Sequence, residues 1–198
     1  MSRYDGTDRY TYPGTDVFIN KPGLTDPLAL EAFEADATAV RMLELMQVPV
    51  AGAFNVEHLR GIHFHLFQDV YDWAGEFRLV DISRGASRFA NFTRIEGYLS
   101  KCLMQLSNEG FLCGTKPDVF INGLAFYMGE INAVHPFREG NGRVHRVFCA
   151  QLALNAGYFI DFESVDQEQM YAVMAASFKG DASPLVALLN EIAAIVEP

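Results

Sequence analysis

The chain is poor in the features that mark secreted, membrane-spanning and nucleic-acid-binding proteins. Its three cysteines are odd in number and form no Cys-x-x-Cys pair, which argues against a disulfide framework or a zinc site and favours a reducing cytosol. No apolar run approaches the roughly 20 residues of a membrane helix, and the polar N-terminus lacks the apolar segment of a signal peptide. With 15 basic and 25 acidic residues, the chain also lacks the basic surface that grips nucleic-acid phosphates. We therefore expect a cytoplasmic protein that contacts neither a membrane nor nucleic acid directly.

What the sequence does contain is apolar residues at helical spacing. Half of its 198 residues are hydrophobic and 13% are aromatic, which suits one compact domain with a sizeable core. Seven helices are predicted from apolar stripes and end signals. Their expected starts are Asp26–Pro27, Asn55, Thr93–Glu96, Pro117, Gly142, Ser164–Gln167 and Ser183–Pro184. The second is expected to reach Gly75 and the seventh to include Ile195. Because no repeat or long linker divides the chain, we expect a single mainly α domain over residues 1–198.

Two stretches depart from the helical pattern. Residues 1–25, rich in Tyr, Gly, Pro, Asp and Thr, are predicted to form an extended arm or loop. In the segment 77–92, Phe77–Ile82 and Arg88–Phe92 are strand-like and Ser83–Ser87 breaks them, which predicts a β-hairpin. As the only β structure expected, this hairpin would have an exposed edge. On the residues alone, a plain connector and an edge that pairs with a strand from a protein partner are equally good interpretations.

His63 and His65, in the second predicted helix, resemble a pair of metal ligands. Residues two apart on a helix face different directions, so the two rings would not converge on one ion. We therefore expect His63 to be a core histidine and His65 to lie on the solvent side.

The residues with chemistry are concentrated in the twelve from His135 to Arg146, His-Pro-Phe-Arg-Glu-Gly-Asn-Gly-Arg-Val-His-Arg. The glycines of the Gly140–Gly142 turn would permit positive φ and close approach of the backbone. Backbone N–H groups there, with the positive end of the next helix, would form an anion cradle. Arg143 and Arg146 lie on one helical face and could hold successive phosphates. With Arg138 they make a basic island in an acidic chain, which points to a small anion.

Two further side chains complete the residue set of a phosphoryl- or nucleotidyl-transfer site. Glu139, beside the cradle, could pair with an arginine or hold a Mg²⁺ ion that bridges phosphate oxygens. His135 has an imidazole that is neutral at cytosolic pH and could take a proton from an attacking hydroxyl. A single histidine near a turn is more often structural, but the occurrence of the whole set within twelve residues favours catalysis.

These twelve residues resemble the signature of the Fic family, His-x-Phe-x-(Asp/Glu)-Gly-Asn-Gly-Arg-x-x-Arg, at all eight specified positions. Val70–Gly75 and the following Arg78–Ile82 are similar to the helix end and the flap hairpin that precede the signature in this family. Tyr10–Gly14 is similar to the family's N-terminal arm. The resemblance covers essentially the whole chain, and it implies the mainly α, single-domain Fic fold with one hairpin as a flap.

The resemblance also implies an activity, that of a protein adenylyltransferase. Such enzymes move AMP from ATP, with Mg²⁺, to a hydroxyl of a target protein and release pyrophosphate. By this resemblance His135 is the base and Glu139 is the Mg²⁺ ligand. The residues that it assigns to the nucleotide phosphates are Gly140, Asn141, Gly142, Arg143 and Arg146. The flap would align the target by strand addition through Ser87, Arg88, Phe89 and Ala90. Tyr171 and Met174, on the sixth predicted helix, are the residues predicted for the adenine pocket.

Regulation by a second protein is a further implication. Many Fic proteins carry (Ser/Thr)-x-x-x-Glu-(Gly/Asn) on a helix, and its glutamate pairs with the last signature arginine, here Arg146. The pattern is absent from this sequence; Ser164–Glu168 comes closest, but Gln169 follows it. The chain therefore resembles the bacterial toxins whose inhibitor is a separate small antitoxin. Some of these modify the ATPase subunits of gyrase and topoisomerase IV, a target that no residue here specifies.

Two alternative functions stay open at this point. One is a nucleotide-binding regulatory module without transfer, against which the intact His135, Glu139 and Asn141 argue. The other is a phosphotransferase or another group transferase of the same fold. Relatives that phosphorylate have an altered loop in place of Gly-Asn-Gly-Arg, so the complete motif favours AMP transfer.

Overall fold

The computed structural model describes residues 9–84 and 87–196. Within them lie seven α-helices: α1 (Pro27–Gln47), α2 (Val56–Phe67), α3 (Ile95–Asn108), α4 (Pro117–Val134), α5 (Asn141–Asn155), α6 (Gln167–Phe178) and α7 (Ser183–Ile192). The short strands are β1 (Ser83–Arg84), β2 (Ser87–Arg88), β3 (Tyr158–Ile160) and β4 (Ala193–Ile195). The prediction of a mainly α fold with about seven helices and a small hairpin is confirmed.

Local end signals explain most helix starts. The Asp26 side chain accepts a hydrogen bond from the Ala29 N–H at 3.0 Å, with Pro27 at the first position of α1. Asn55 caps α2 in the same way through the His58 N–H, also at 3.0 Å. These short polar side chains satisfy N–H groups that have no partner inside the helix.

Two predicted capping boxes are wrong. Thr93 lies inside a 3-10 turn, Phe92–Arg94, which the side chain of Asn91 caps, and α3 follows that turn. Ser164 closes another 3-10 turn, and Asp166 caps α6 by accepting from the Gln169 N–H at 2.7 Å. In both places an Asn or Asp near the predicted serine or threonine takes the exposed N–H groups, as its short polar side chain favours.

Two predicted helix ends are also wrong. Helix α2 stops at Phe67, and turns carry the chain to Gly75, whose N–H donates to Nδ1 of His63 at 2.8 Å. Helix α7 stops at Ile192, and Ile195 lies on β4, which pairs antiparallel with β3. The hairpin is therefore not the only β structure. Ala193–Ile195 pair with a strand about 35 positions earlier in the chain, and this long-range contact overrides the helical periodicity of the local sequence.

The flap hairpin is displaced from its predicted strands. Its ladder pairs Ser83–Arg84 with Ser87–Arg88, so three of its four residues lie in the segment predicted to break the strands, and only Arg88 lies in a predicted strand. Residues 85 and 86 lie outside the described residues. Phe77–Ile82 and the residues after β2 form no ladder. One backbone bond, from the Phe89 N–H to the Ile82 carbonyl at 3.4 Å, and hydrogen bonds to the side chain of Asp81 join these two legs. Asp81 accepts from the Phe92 N–H and from the Asn91 amide, each at 2.8 Å.

The N-terminal segment packs on the body of the domain. Tyr10 and Val17 are buried, and Thr11 forms an isolated antiparallel β-bridge with Phe18. Residues 1–8 of the predicted arm lie outside the described residues.

The core surrounds helix α4. Its buried stripe, Phe120, Leu124, Tyr127, Met128 and Ile131, is as predicted. Helix α1 packs less fully than predicted: Leu30 is buried, whereas Val40 is 58% exposed. Among the described residues, no helix combines the length and the apolar character that crossing a membrane requires. Because six residues join α4 to α5, the loop from His135 to Gly140 lies between two helices that pack together.

Candidate active site

The backbone of His135 adopts a conformation that side chains rarely take. His135 follows the last residue of α4 with φ 49° and ψ 63°, in the left-handed region. For a residue other than glycine this conformation costs on the order of 1 kcal/mol and persists only where neighbours hold it. Its N–H donates to Ile131 O at 3.0 Å, and its carbonyl accepts from Nε of Arg78 at 2.8 Å. The surroundings therefore hold the imidazole of His135 in one place.

The His135 imidazole is arranged as a base. Nδ1 lies 3.3 Å from the carbonyl oxygen of Asn132, which favours the proton on Nδ1 and makes Nε2 the basic nitrogen. The ring stacks on Phe89, with centroids 3.9 Å apart and an interplanar angle of 16°. Burial lowers the pKa of His135 to about 3. The ring is therefore neutral at pH 7 and can accept a proton.

Packing of Phe137 in the core and hydrogen bonds from Asn141 fix the rest of the loop. Phe137 is 1% exposed and stacks on the core histidine His63 at 4.0 Å, and His63, as predicted, is fully buried. Asn141 bonds the backbone of Phe137 twice, accepting from its N–H at 2.9 Å and donating to its carbonyl at 2.7 Å. A contact from Asn141 to a phosphate would therefore come from its backbone N–H. His65 is partly exposed beside Glu44, also as predicted.

The two glycines of the turn have different roles. Gly140 has φ 78°, and a Cβ there would lie 2.2 Å from the ring of Phe67. Gly142 lies within α5, where its Cβ would meet only Nη1 of Arg146 at 3.6 Å. The prediction of positive φ is thus correct for Gly140 and wrong for Gly142. Helix α5 begins without a side-chain cap, so its first N–H groups are available to an anion.

The two signature arginines are not equivalent. Arg143 forms an ion pair with Glu34 of α1 and donates to Oγ1 of Thr38 at 3.0 Å. Its guanidinium also lies over the ring of Phe67. Arg146 makes no hydrogen bond or ion pair with any residue that the structure describes, and burial lowers its pKa. Arg146 is therefore the arginine whose donors are available to a ligand.

These residues line one cleft of about 490 Å³, a size typical of small-molecule sites. The signature loop and α5 contribute His135, Glu139, Gly140, Asn141, Gly142, Arg143 and Arg146 to its wall. Helix α6 lines it with Met170, Tyr171 and Met174, so both residues predicted for the adenine pocket reach the cleft. Arg84 of β1 lies 4.3 Å above the Tyr171 ring and joins the flap to this wall.

Glu139 is the carboxylate of the loop that faces this cleft. It is 7% exposed, and its Oε1 accepts from the Gly140 N–H at 2.9 Å. Over residues 9–84 and 87–196, no three His, Cys, Asp or Glu side chains come together as a metal site. Magnesium, however, is commonly held by one carboxylate together with phosphates and water. Glu139 fits that kind of site.

The four predicted docking residues of the flap do not act alike. Ser87 and Arg88 lie on β2, at the edge. Phe89 lies against His135 instead, and Ala90 is bonded to the end of α4 through its N–H and Ala133 O, 3.2 Å apart. Phe89 and Ala90 thus belong to the base of the flap.

Sequence reasoning predicted no role in the site for two residues of this region, Glu34 and Arg78. Arg78 has a signal in the sequence, because it is a charge within the strand-like run Phe77–Ile82, and its side chain is 1% exposed. Glu34 has no such signal, because nothing in its own helix indicates the arginine 109 positions away.

The chain is similar to known proteins in sequence and in fold. Residues 53–153 match the Fic/DOC family. The chain is 42% identical over 191 residues to the protein adenylyltransferase VbhT of Bartonella schoenbuchensis, covering 96% of this chain and 40% of VbhT. It is 35% identical over 188 residues to "Probable protein adenylyltransferase Fic" of Escherichia coli, covering 95% and 93%. The structure of BepC from Bartonella tribocorum with bound AMPPNP superposes with a TM-score of 0.87 at 25% identity, covering 95% of this chain and 97% of that one. The chain thus spans two fifths of VbhT and nearly all of the Escherichia coli protein. This chain therefore belongs to the Fic/DOC family.

Proposed function

We propose that this chain is a protein adenylyltransferase, which moves AMP from ATP to a hydroxyl side chain of a target protein. The observation that carries the proposal is that a neutral, buried histidine and an arginine with available donors share one cleft: His135 and Arg146. The names of VbhT and the Escherichia coli relative support it, as does the AMPPNP bound to BepC.

In the proposed reaction His135 is the general base. Its Nε2 accepts the proton of the target hydroxyl while the hydroxyl oxygen attacks the α-phosphorus of ATP. The new oxygen–phosphorus bond forms as the bond to the bridging oxygen of pyrophosphate breaks. Negative charge then grows on the leaving pyrophosphate, where the Arg146 guanidinium and the N-terminus of α5 can stabilise it.

Glu139 would hold a Mg²⁺ ion against the phosphates. When bound, the ion would reduce the negative charge on the phosphate oxygens. Arg143, on α5, would contribute positive charge from the cleft wall, and its ion pair with Glu34 would keep it in place beside α1. Met170, Tyr171 and Met174 would receive the adenine, since a flat apolar base suits methionine and aromatic side chains.

The target segment would add as a strand to the flap. Strand addition needs a free edge and an extended partner. Among the described strands, β1 and β2 pair only with each other, so each has an outer edge. Ser87 and Arg88 are the proposed docking positions on this edge. Phe89 and Ala90, at the base of the flap, would set where the target hydroxyl meets His135.

We further propose that the protein is a bacterial toxin of the cytoplasm, inhibited by a separate small antitoxin that brings a glutamate to Arg146. The available donors of Arg146 support this proposal, and so does the outer side of α1. There an apolar stripe is 58–73% exposed: Leu28, Val40, Leu43 and Met46. Because Glu31 and Ala35 of the same helix line the cleft, a helix docked on this stripe would end beside it. The ATPase subunits of gyrase and topoisomerase IV are the proposed targets, on family resemblance alone.

The test is incubation of the purified chain with bacterial lysate, Mg²⁺ and ATP labelled at the α-phosphate. We expect labelled protein from the wild type, none from His135→Ala, and undiminished labelling from the control His65→Ala, which changes a histidine outside the cleft. Parallel reactions with label at the γ-phosphate separate the alternatives. Transfer of γ-label would indicate a phosphotransferase, and ATP binding without either label on protein would indicate a regulatory module.

A further inference from the structure

Arg78 is a buried cation that lies next to the signature loop but not in it. Its side chain is 1% exposed. Its guanidinium donates to four backbone carbonyl oxygens at 2.5–3.1 Å. The acceptors are the carbonyls of Val80, Ala90, Val134 and His135.

These four carbonyls belong to two parts of the site. Val134 and His135 form the end of α4, which carries the proposed base. Val80 lies on the leg that enters the flap, and Ala90 lies on the leg that leaves it. One guanidinium therefore joins the catalytic histidine's backbone to both legs of the flap. Backbone bonds run parallel to it, from Arg78 N–H to Pro136 O at 2.9 Å and from Ala90 N–H to Ala133 O at 3.2 Å.

The chemistry explains why an arginine occupies this place. The last carbonyls of a helix lack partners within it and carry partial negative charge, so a cation stabilises them. Arg78 also bonds the carbonyl of His135, whose left-handed backbone needs such support. A lysine has three donors on one nitrogen and cannot span acceptors on three separate segments as the planar, five-donor guanidinium does.

We propose that Arg78 is a positioning residue for AMP transfer, which fixes the distance between His135 and the flap edge that receives the target. The inference rests on the proposed adenylyltransferase activity. Phe89, adjacent to Ala90, stacks on the His135 ring, so movement of this leg would also move that ring. Arg78 does not line the nucleotide cleft. Its loss should therefore impair transfer to the target while ATP still binds.

The test compares Arg78→Lys and Arg78→Gln with the wild-type chain, at temperatures where melting curves show each protein folded. We expect ATP affinity to stay within about threefold and the transfer rate to fall by at least about 30-fold, the effect of misplacing a reacting group. Arg60→Lys is the matched control: Arg60 lies over the Phe77 ring and also donates to a backbone carbonyl, but that carbonyl, of Gly75 at 2.8 Å, precedes the flap segment. Its transfer rate should stay within about threefold of wild type. Equal transfer by the Arg78 variants would overturn the proposal.

A second measurement does not depend on activity. Stacking under Phe89 should shield the carbon-bound ring protons of His135, and Phe89→Leu supplies the unshielded reference in NMR spectra. In Arg78→Lys we expect the His135 ring-proton resonances to move towards their positions in Phe89→Leu. Unmoved resonances would refute the coupling between Arg78 and the His135 ring. In the wild type, the Nε–H of Arg78 should exchange at least about 100-fold more slowly than that of the exposed Arg94. Equal exchange rates would refute the geometry, and a wild type that labels no protein would refute only the proposed function.

Discussion

The carboxylate of Glu34, on α1, forms an ion pair with the guanidinium of Arg143, on α5, at the edge of the nucleotide cleft. Tyr71 donates a hydrogen bond to the same carboxylate, and burial together with Glu34 raises the pKa of that phenol. The first signature arginine is therefore anchored to the body of the domain. Arg146 makes no hydrogen bond or ion pair with a described residue, and Glu163 of the same cleft attracts its charge, so its donors are available to a ligand.

Replacement of Glu34 by Gln should distinguish two roles of Glu34: holding Arg143 in place and placing a negative charge beside the cleft. The pair is mostly buried, with side chains 15% and 23% exposed, so its loss should cost about 1–3 kcal/mol of unfolding free energy. Because a negative charge leaves the phosphate end of the cleft, ATP should bind about fivefold more tightly. Denaturant unfolding and ATP titration measure both effects. Glu44→Gln, in an exposed pair on the same helix, should change stability by no more than about 0.5 kcal/mol. Weaker ATP binding by Glu34→Gln would mean that Glu34 is needed to position Arg143.

Reversal of charge at Arg146 should affect the ligand more than the fold. Arg146→Glu removes donors that no described residue uses, so ATP affinity should fall by about 30- to 100-fold. The melting temperature should fall by no more than about 4 °C. Calorimetric ATP titration and thermal melts check the two expectations. Arg138→Gln is the contrast: Arg138 is fully buried over the Phe18 ring, and its replacement should mainly destabilise the fold. A large fall in melting temperature for Arg146→Glu would show that Arg146 is structural.

The two glycines of the turn should respond differently to alanine. In Gly140→Ala the new Cβ meets the Phe67 ring at 2.2 Å with φ at 78°, so we expect a loss of about 3 kcal/mol or more in unfolding free energy. Gly142→Ala adds a methyl group inside a helix at an ordinary contact distance of 3.6 Å and should be neutral or slightly stabilising. Denaturant unfolding of the two variants side by side tests the pair. Equal losses would contradict the assignment of the left-handed position to Gly140.

Acid should destabilise the protein through buried histidines. Burial lowers the pKa of His63 to about 3, of His135 to about 3 and of His145 to about 4. Each takes up a proton near pH 6.5 only when the chain unfolds, so the unfolded state binds more protons below that pH. The contribution of these histidines to the unfolding free energy should therefore be fully present above about pH 6.5. It should decrease towards pH 4, by up to about 1.4 kcal/mol per pH unit for each histidine.

Denaturant unfolding at pH 7.5, 6.5 and 5.5 measures this slope. His145→Asn removes one of these titrating groups and should make the slope shallower, by up to about 1.4 kcal/mol per pH unit. A stability that does not change over this pH range would contradict the burial of the neutral rings.

Local sequence was sufficient to predict the helix count, the caps at Asp26 and Asn55, and the loop that carries His135. These features depend on residues close in the chain, where periodicity and capping operate. The same reasoning failed at Thr93 and Ser164, because another short polar side chain nearby was the better cap.

The sequence by itself determined a mainly α chain with one signature loop, because its helical periodicity and its twelve contiguous residues are local properties. Only the tertiary structure decided which partner each polar group takes. Glu34 meets Arg143, Arg78 joins the flap to His135, and Ile195 leaves its helical pattern to pair with β3. In each case the partner lies tens of residues away, so its identity follows from how the helices pack. Burial then sets the energies, since water no longer competes for these contacts.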